Sequence, residues 1–163
     1  MENRKPIKRS KELVSLSRDH HDGLLLCWKI RTGVENGVAS GRIIKYVLHF
    51  FNSNLNHHFD IEERFVFTLL PRENELRIKA EWQHEQLKKL IGILYQNTPK
   101  DEIALNDFNK LLEEHIRFEE RTLFPAIEQY ADESQLTNAC KNIDENANTK
   151  ELTWEDTFWI KNK

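Results

Sequence analysis

The apolar positions of residues 44–69 carry the period of a helix facing a helical partner. Ile44, Leu48, Phe51, Leu55, His58, Glu62, Phe65 and Leu69 advance by alternating steps of four and three. Two members of that stripe are not apolar. His58 and Glu62 stand where Phe or Leu is expected, and burying an imidazole and a carboxylate without partners costs several kcal/mol. The anomaly recurs in the stripe Leu105, Phe108, Leu112, His115, Glu119, Thr122 and Ala126. Here His115-Ile116-Arg117-Phe118-Glu119-Glu120-Arg121 repeats the layout of His58-Phe59-Asp60-Ile61-Glu62-Glu63-Arg64. A spacing of i, i+4 sets the His and the Glu of each stretch on one side of a helix, close enough to share one site. A metal ion is the simplest compensation.

Two further stripes complete the pattern. Ser10 is the expected N-cap of a first helix whose inward seam is Leu13, Leu16, His20, Leu24 and Cys27, ending near Gly33 to Gly41. A second helix is expected over Arg42–Leu70, stopped by Pro71. A third spans Glu73–Asn97, with Leu76, Ala80, His84, Leu87, Ile91 and Leu94 inward, and Asn97-Thr98-Pro99 makes a turn. A fourth spans Asp101–Tyr130, and Pro125 inside it predicts a kink or a separate last turn. Short turns between long helices predict an all-α, antiparallel up-down-up-down four-helix bundle. A shorter helix over Glu133–Asn142, a polar segment from Asp144 to Glu151, and an apolar tail containing Trp154, Phe158, Trp159 and Ile160 follow. The tail is too apolar to hang in water and is expected to fold back over the bundle. The 163 residues read as one domain, with a bundle core over residues 10–131 and a C-terminal extension over residues 132–163.

Composition narrows the function classes. A net charge of −3 provides no global basic field for nucleic acid or a membrane surface. The basic run Arg4-Lys5-Pro6-Ile7-Lys8-Arg9 is short and reads as a solvated arm. Cys27 and Cys140 are far apart and lack a C-x-x-C context, so both read as reduced, packed thiols. With no long apolar run, the expectation is a soluble cytoplasmic protein without a membrane span.

In an antiparallel bundle, residues near the helix midpoints share one level. His20, His58, Glu62, His84, His115 and Glu119 all fall at comparable depths from their turns. On the first helix His20 is favoured because it lies at the centre of the apolar face; His21 is rotated by about 100° but stays near the edge of that face as the alternative. Four imidazoles and two carboxylates suit a pair of first-row metals, since calcium and magnesium prefer oxygen. If both carboxylates bridge, each ion has two histidines and two carboxylate oxygens, with room left for a bridging oxygen and an exogenous ligand. Ferritin-like bundles use Glu-x-x-His, a spacing met here once, at Glu81-Trp82-Gln83-His84.

Other residues carry weaker expectations. His57 and His49 lie off the stripe. Glu63 and Glu120 read as groups that pair with neighbouring cations or support a ligand, and Glu81 is a candidate to orient a ligand ring. Trp28, Phe51, Phe59, Phe65, Trp82, Phe108 and Phe118 read as core packing.

The segment Asp19-His20-His21, the two His-x-x-x-Glu-Glu motifs, His84 and Leu123-Phe124-Pro125 together resemble the hemerythrin-like, HHE cation-binding family over residues 10–131. The resemblance implies two non-haem iron ions, oxo- or hydroxo-bridged, held by His20, His58, Glu62, His84, His115 and Glu119. It departs from the oxygen-carrying members, which have His-x-x-x-His on the third helix and His-x-x-x-x-Asp on the fourth. Here Ala80 and Lys88 flank His84 at that spacing, and Glu119 follows His115 by four. The set is closer to the di-iron proteins of iron-centre repair and nitric oxide stress, although their N-terminal cysteine-bearing domain has no counterpart here. The expectation is a di-iron protein that binds a diatomic gas, oxygen or nitric oxide, for sensing, handling or detoxification. Its rivals are a di-iron enzyme or iron donor, and a metal-independent helical interaction module.

Overall fold

The computed structural model describes residues 9–96, 101–147 and 153–161, and every regular element among them is helical. Four rods form the bundle. The first is α1 (Val14–Glu35). The second runs through α2 (Ser40–Phe50), a π turn at Phe51–Leu55, α3 (Asn56–Ile61), a second π turn at Glu62–Val66 and a closing 3-10 turn at Phe67–Leu69. The third is α4 (Glu75–Tyr95). The fourth is α5 (Asp101–Phe118), a π turn at Glu119–Leu123 and α6 (Phe124–Tyr130). A short C-terminal helix, α7 (Glu133–Glu145), packs against the second rod near its second π turn.

Helix ends follow local chemistry, with small departures from expectation. Ser10 does not cap α1; it accepts a turn bond from the Leu13 N–H through its carbonyl, and the helix starts at Val14. Asn74 caps α4 by accepting from the N–H groups of Leu76 and Arg77. Asp132 and Gln135 form a reciprocal capping box that starts α7. That helix continues to Glu145, into the segment expected to break it. Pro125 sits in the first turn of α6, directly after the π turn, where its missing N–H is tolerated.

The π turns correct the expected seams. Each π turn adds one residue to a turn of helix, so every position beyond it rotates by about 100° relative to an unbroken α-helix. Phe65 and Leu69 are only half-buried, while Val66 and Leu70 take the inner positions at 0% and 3% exposure. On the fourth rod Thr122 is exposed and Ala126 half-buried, and Leu123 and Ile127 replace them at 0%.

The apolar core lies in two clusters. One gathers Leu26, Ile30, Val47, Phe59, Leu87, Leu105, Phe108 and Leu112; the other gathers Leu13, Leu16, Val66, Phe67, Ala80, Leu123, Phe124 and Ile127. On each rod the polar layer described below falls between them, so each cluster closes the layer from one side. Gly23 lets α1 approach α5, since a Cβ there would come within 2.7 Å of the Ile116 Cδ1. Trp28 and Trp82, expected in the core, are 46% and 55% exposed. Both lie on the outer faces of their helices.

The tail folds back as expected over the α1–α2 end. Phe158 is buried and meets Tyr46, and Trp154 and Trp159 flank the same tyrosine. Gly33 makes room for it: a Cβ there would lie 2.9 Å from both the Ile43 and Phe158 side chains. Arg42 clamps Asp156 with two hydrogen bonds of 2.9 and 2.6 Å. Ile160, by contrast, is exposed. Arg9, grouped in the sequence with a solvated arm, is nearly buried and binds Glu120 and Glu128; the rest of that basic run and the turn at residues 97–99 lie outside the described residues.

Candidate metal centre

Each rod contributes to one layer because its polar residues fall at the level where the two apolar clusters part. His20 comes from α1, His58 and Glu62 from the second rod, His84 from α4, and His115 and Glu119 from the fourth. All six are between 0% and 4% exposed. His21 is exposed and stays outside. The layer resolves into two overlapping groups, His20/His58/Glu62/Glu119 and His84/His115/Glu62/Glu119, in each of which one donor atom per residue lies within 4.8 Å of the others. Both carboxylates belong to both groups.

The distances show how they are shared. Glu119 turns Oε2 to His20 Nε2 at 2.8 Å and Oε1 to His115 Nε2 at 2.9 Å and His84 Nε2 at 3.6 Å. Glu62 Oε1 lies 3.0 Å from His58 Nε2 and 3.3 Å from His84 Nε2, and its Oε2 lies 3.7 Å from His20 Nε2. Both glutamates open π turns. Inside a π turn the i→i+5 bonding widens the backbone, a feature found at functional sites in many helices.

Every imidazole is held from outside by its Nδ1. Glu120 Oε1 lies 2.7 Å from His20 Nδ1, and Asp19 Oδ2 lies 2.9 Å from His58 Nδ1. Glu63 Oε1 lies 2.9 Å from His84 Nδ1, and Gln83 Oε1 lies 2.7 Å from His115 Nδ1. An oxygen acceptor at each Nδ1 places the ring proton there and leaves the Nε2 lone pair aimed into the layer, the arrangement that supports a metal-bound histidine. Glu63 and Glu120 thus take the supporting role expected of them. Glu81 does not; it pairs with Arg77 at 2.6 Å, and Gln83 orients a ring instead. Gln83 was missed because a glutamine on an inward face has no chemical signature until its partner helix is known. His57 donates through Nε2 to the Asn146 carbonyl, and His49 lies against Trp154.

The donor set fits cations. The inward nitrogens of His20 and His58 and all four oxygens of Glu62 and Glu119 are buried without a hydrogen bond that satisfies them. His84 Nε2 and His115 Nε2 face each other at 3.0 Å, so a proton on one ring or a cation beside both is needed to keep two lone pairs from meeting. Burial pushes both carboxyls toward neutrality, yet the facing imidazoles win. His58 holds Glu62 well below the usual range, and Glu119, which Glu62 also pushes upward, falls to about 2 because of His115. Burial likewise opposes charge on the imidazoles. Glu62 and Asp19 nevertheless raise His58 to about 9, Glu119, Glu62 and Glu63 raise His84 to about 10, and Glu119, Glu120 and Glu62 hold His20 well above its ordinary value. At His115 burial prevails and the pKa is lowered. In the metal-free chain, protons therefore take the positions that cations would fill.

Aromatic rings wall the layer. Phe59 stacks on His84 at 3.9 Å between centroids, and Phe124 stacks on His20 at 5.4 Å. A cavity of about 110 Å³ between α1, the second rod and α7 reaches Asp19 and His58. Cys27 is buried and free, with its thiol pushed up to about 12 by burial, and Cys140 is also free.

Comparison with known proteins agrees with the geometry. The model of the hemerythrin HHE cation-binding domain matches residues 13–127, which include all six inward-facing donors. No curated protein and no solved structure matches the chain.

Proposed function

We propose, since the chain belongs to the hemerythrin HHE cation-binding family, that the layer holds two non-haem iron ions and that the loaded protein binds a diatomic gas, oxygen or nitric oxide. The observation that carries this reading is the sharing of Glu62 and Glu119 by two histidine pairs. His20 and His58 would hold one ion, His84 and His115 the other, and the two carboxylates would join them. Imidazoles with a carboxylate are the donor set on which non-haem iron retains open positions. Reduced iron, when bound, supplies electron density and a vacant position to an incoming gas.

The chain's own residues do the rest. Asp19, Glu63, Gln83 and Glu120 fix the ring tautomers and orientations. Phe59, Phe67 and Phe124 keep water from the His84 and His20 faces, which protects a bound gas from proton delivery. The cavity beside His58 gives small molecules a way into the bundle on the α1 side. Among the described residues no helix is long and apolar enough to cross a membrane. The two free thiols support a reducing compartment, the cytoplasm, and we read residues 1–163 as one domain.

The test starts from protein loaded anaerobically with ferrous iron. Metal analysis is expected to find two irons per chain, and exposure to oxygen or nitric oxide to produce a visible absorption that reverses when the gas is removed. Single irreversible oxidation would favour turnover or iron donation over reversible binding. A chain that takes up no iron would leave only a helical interaction module.

A further inference from the structure

The two metal positions obey the same construction rules with one substitution. Asp19-His20 on α1 corresponds to Gln83-His84 on α4, and His58, Glu62 and Glu63 correspond to His115, Glu119 and Glu120. By the first rule, the residue preceding a rod's histidine reaches the histidine of the next rod: Asp19 to His58 at 2.9 Å, Gln83 to His115 at 2.7 Å. By the second, the residue following a shared glutamate reaches the histidine of a neighbouring rod: Glu63 to His84 at 2.9 Å, Glu120 to His20 at 2.7 Å. Three of the four acceptors are carboxylates. The fourth, Gln83, is an uncharged carboxamide and is 4% exposed.

We propose that Asp19 and Gln83 make the two iron positions unequal, so that in the half-oxidised centre the ferric ion resides between His20 and His58. This rests on the di-iron reading above. A carboxylate that accepts an imidazole N–H draws the proton toward itself and makes the opposite nitrogen a stronger donor, whereas a neutral amide does so less. Stronger donors and nearby negative charge both favour the higher oxidation state.

Neighbouring cations do not cancel the difference. Glu120 shares Arg9 with Glu128, so that cluster stays anionic by one charge, and Asp19 adds another. On the other side Lys88 lies 3.8 Å from Glu63 and balances it, and Gln83 adds nothing. Asp19 is half-exposed, so solvent weakens its field but leaves its hydrogen bond to His58 in place. Asp19 and Gln83 act through the imidazoles and are positioning residues.

The experiment compares the wild-type protein, Asp19→Asn, Gln83→Glu and the double exchange. Each is loaded with ferrous iron, its iron content is measured, and one equivalent of ferricyanide removes one electron per centre. The yield of the half-oxidised form is read by electron paramagnetic resonance. Each single variant gives both positions equal numbers of carboxylate acceptors, so the comproportionation constant is expected to fall about tenfold. The double exchange recreates the inequality in the opposite sense, and the yield recovers. Damage to the fold would accumulate in the double variant instead of being reversed.

Wild-type yield in both singles, or a double variant below either single, overturns the proposal. Should Gln83→Glu fail to fold, Asp19→Asn decides alone, because its site is half-exposed and the exchange is nearly isosteric. A chain without two irons sinks the di-iron reading and this inference with it. Two irons with an unaltered yield sink only the inequality.

Discussion

The two rods that carry His-x-x-x-Glu-Glu hold the same chemistry with different packing. On the second rod Phe59 follows the histidine and stacks on His84, against Leu87 of α4 in the same cluster. On the fourth rod Ile116 takes the equivalent place and sits over Gly23 of α1. A large ring on one side and an absent side chain on the other solve the same volume problem, because the interior must be filled whichever rod supplies the atoms. What the two rods keep alike is the π turn that begins at the glutamate. The chemistry constrains backbone geometry more tightly than it constrains the neighbouring side chains.

The largest effect should come from breaking what the halves share. Glu119→Ala removes an oxygen from both positions, and iron content is expected to fall below about half of the wild-type level, measured by metal analysis of folded protein. Retention of both irons would remove Glu119 from the centre.

Next comes the packing difference itself. Phe59→Ala should cost about 3 kcal/mol in denaturant unfolding, since it empties a fully buried ring site. Gly23→Ala should cost less, under about 1 kcal/mol, because only the flexible end of the Ile116 side chain stands in the way and alanine gains about 1 kcal/mol of helix propensity in return. Ile116→Val in the same chain should recover part of that loss. If the effects of Gly23→Ala and Ile116→Val simply add, the close approach of α1 to α5 is looser than described.

A smaller effect separates metal-free from loaded protein. His58 and His84 have pKa values raised to about 9 and about 10, so the stability they contribute is full below the unfolded-state value of about 6.5 and is lost as pH rises through about 9–10. Glu119, lowered to about 2, works in the other direction; its contribution is full above about 4.5 and disappears toward about 2. The metal-free melting temperature should therefore be highest near pH 5–6 and fall on both sides. Loaded protein should hold its stability across the alkaline side, where metals no longer compete with protons. A flat alkaline profile for the metal-free chain would contradict the charge pattern of the layer.

The smallest effect is expected at His21. His21→Ala should leave iron content and melting temperature unchanged, while His20→Ala should reduce both. Equal losses would mean that both histidines serve the centre.

The rods, the level of the polar layer and its six inward residues were legible from periodicity, because a helix repeats its facing positions at a known angle and buried charge stands out against an apolar stripe. The supporting role of Glu63 and Glu120 was legible from their place beside the glutamates. The seams beyond residues 62 and 119, and the one before residue 51, where Val47 and not Leu48 is fully buried, were not, since an added residue in a π turn leaves no mark on composition. Trp28 and Trp82 were misjudged for a related reason: aromatic identity suggests burial, but the rotational position of a residue decides it.

By itself, then, the order of residues determined that this chain forms helices with a charged layer at mid-height, since local geometry and the cost of burying polar groups need no knowledge of neighbours. Only the tertiary structure decided that both glutamates lie against both histidine pairs, and that Asp19 and Gln83 stand at equivalent places with unequal chemistry. Those facts depend on which rods touch and how far each is turned. The contacts join residues 21–100 positions apart, a separation at which no local periodicity carries information.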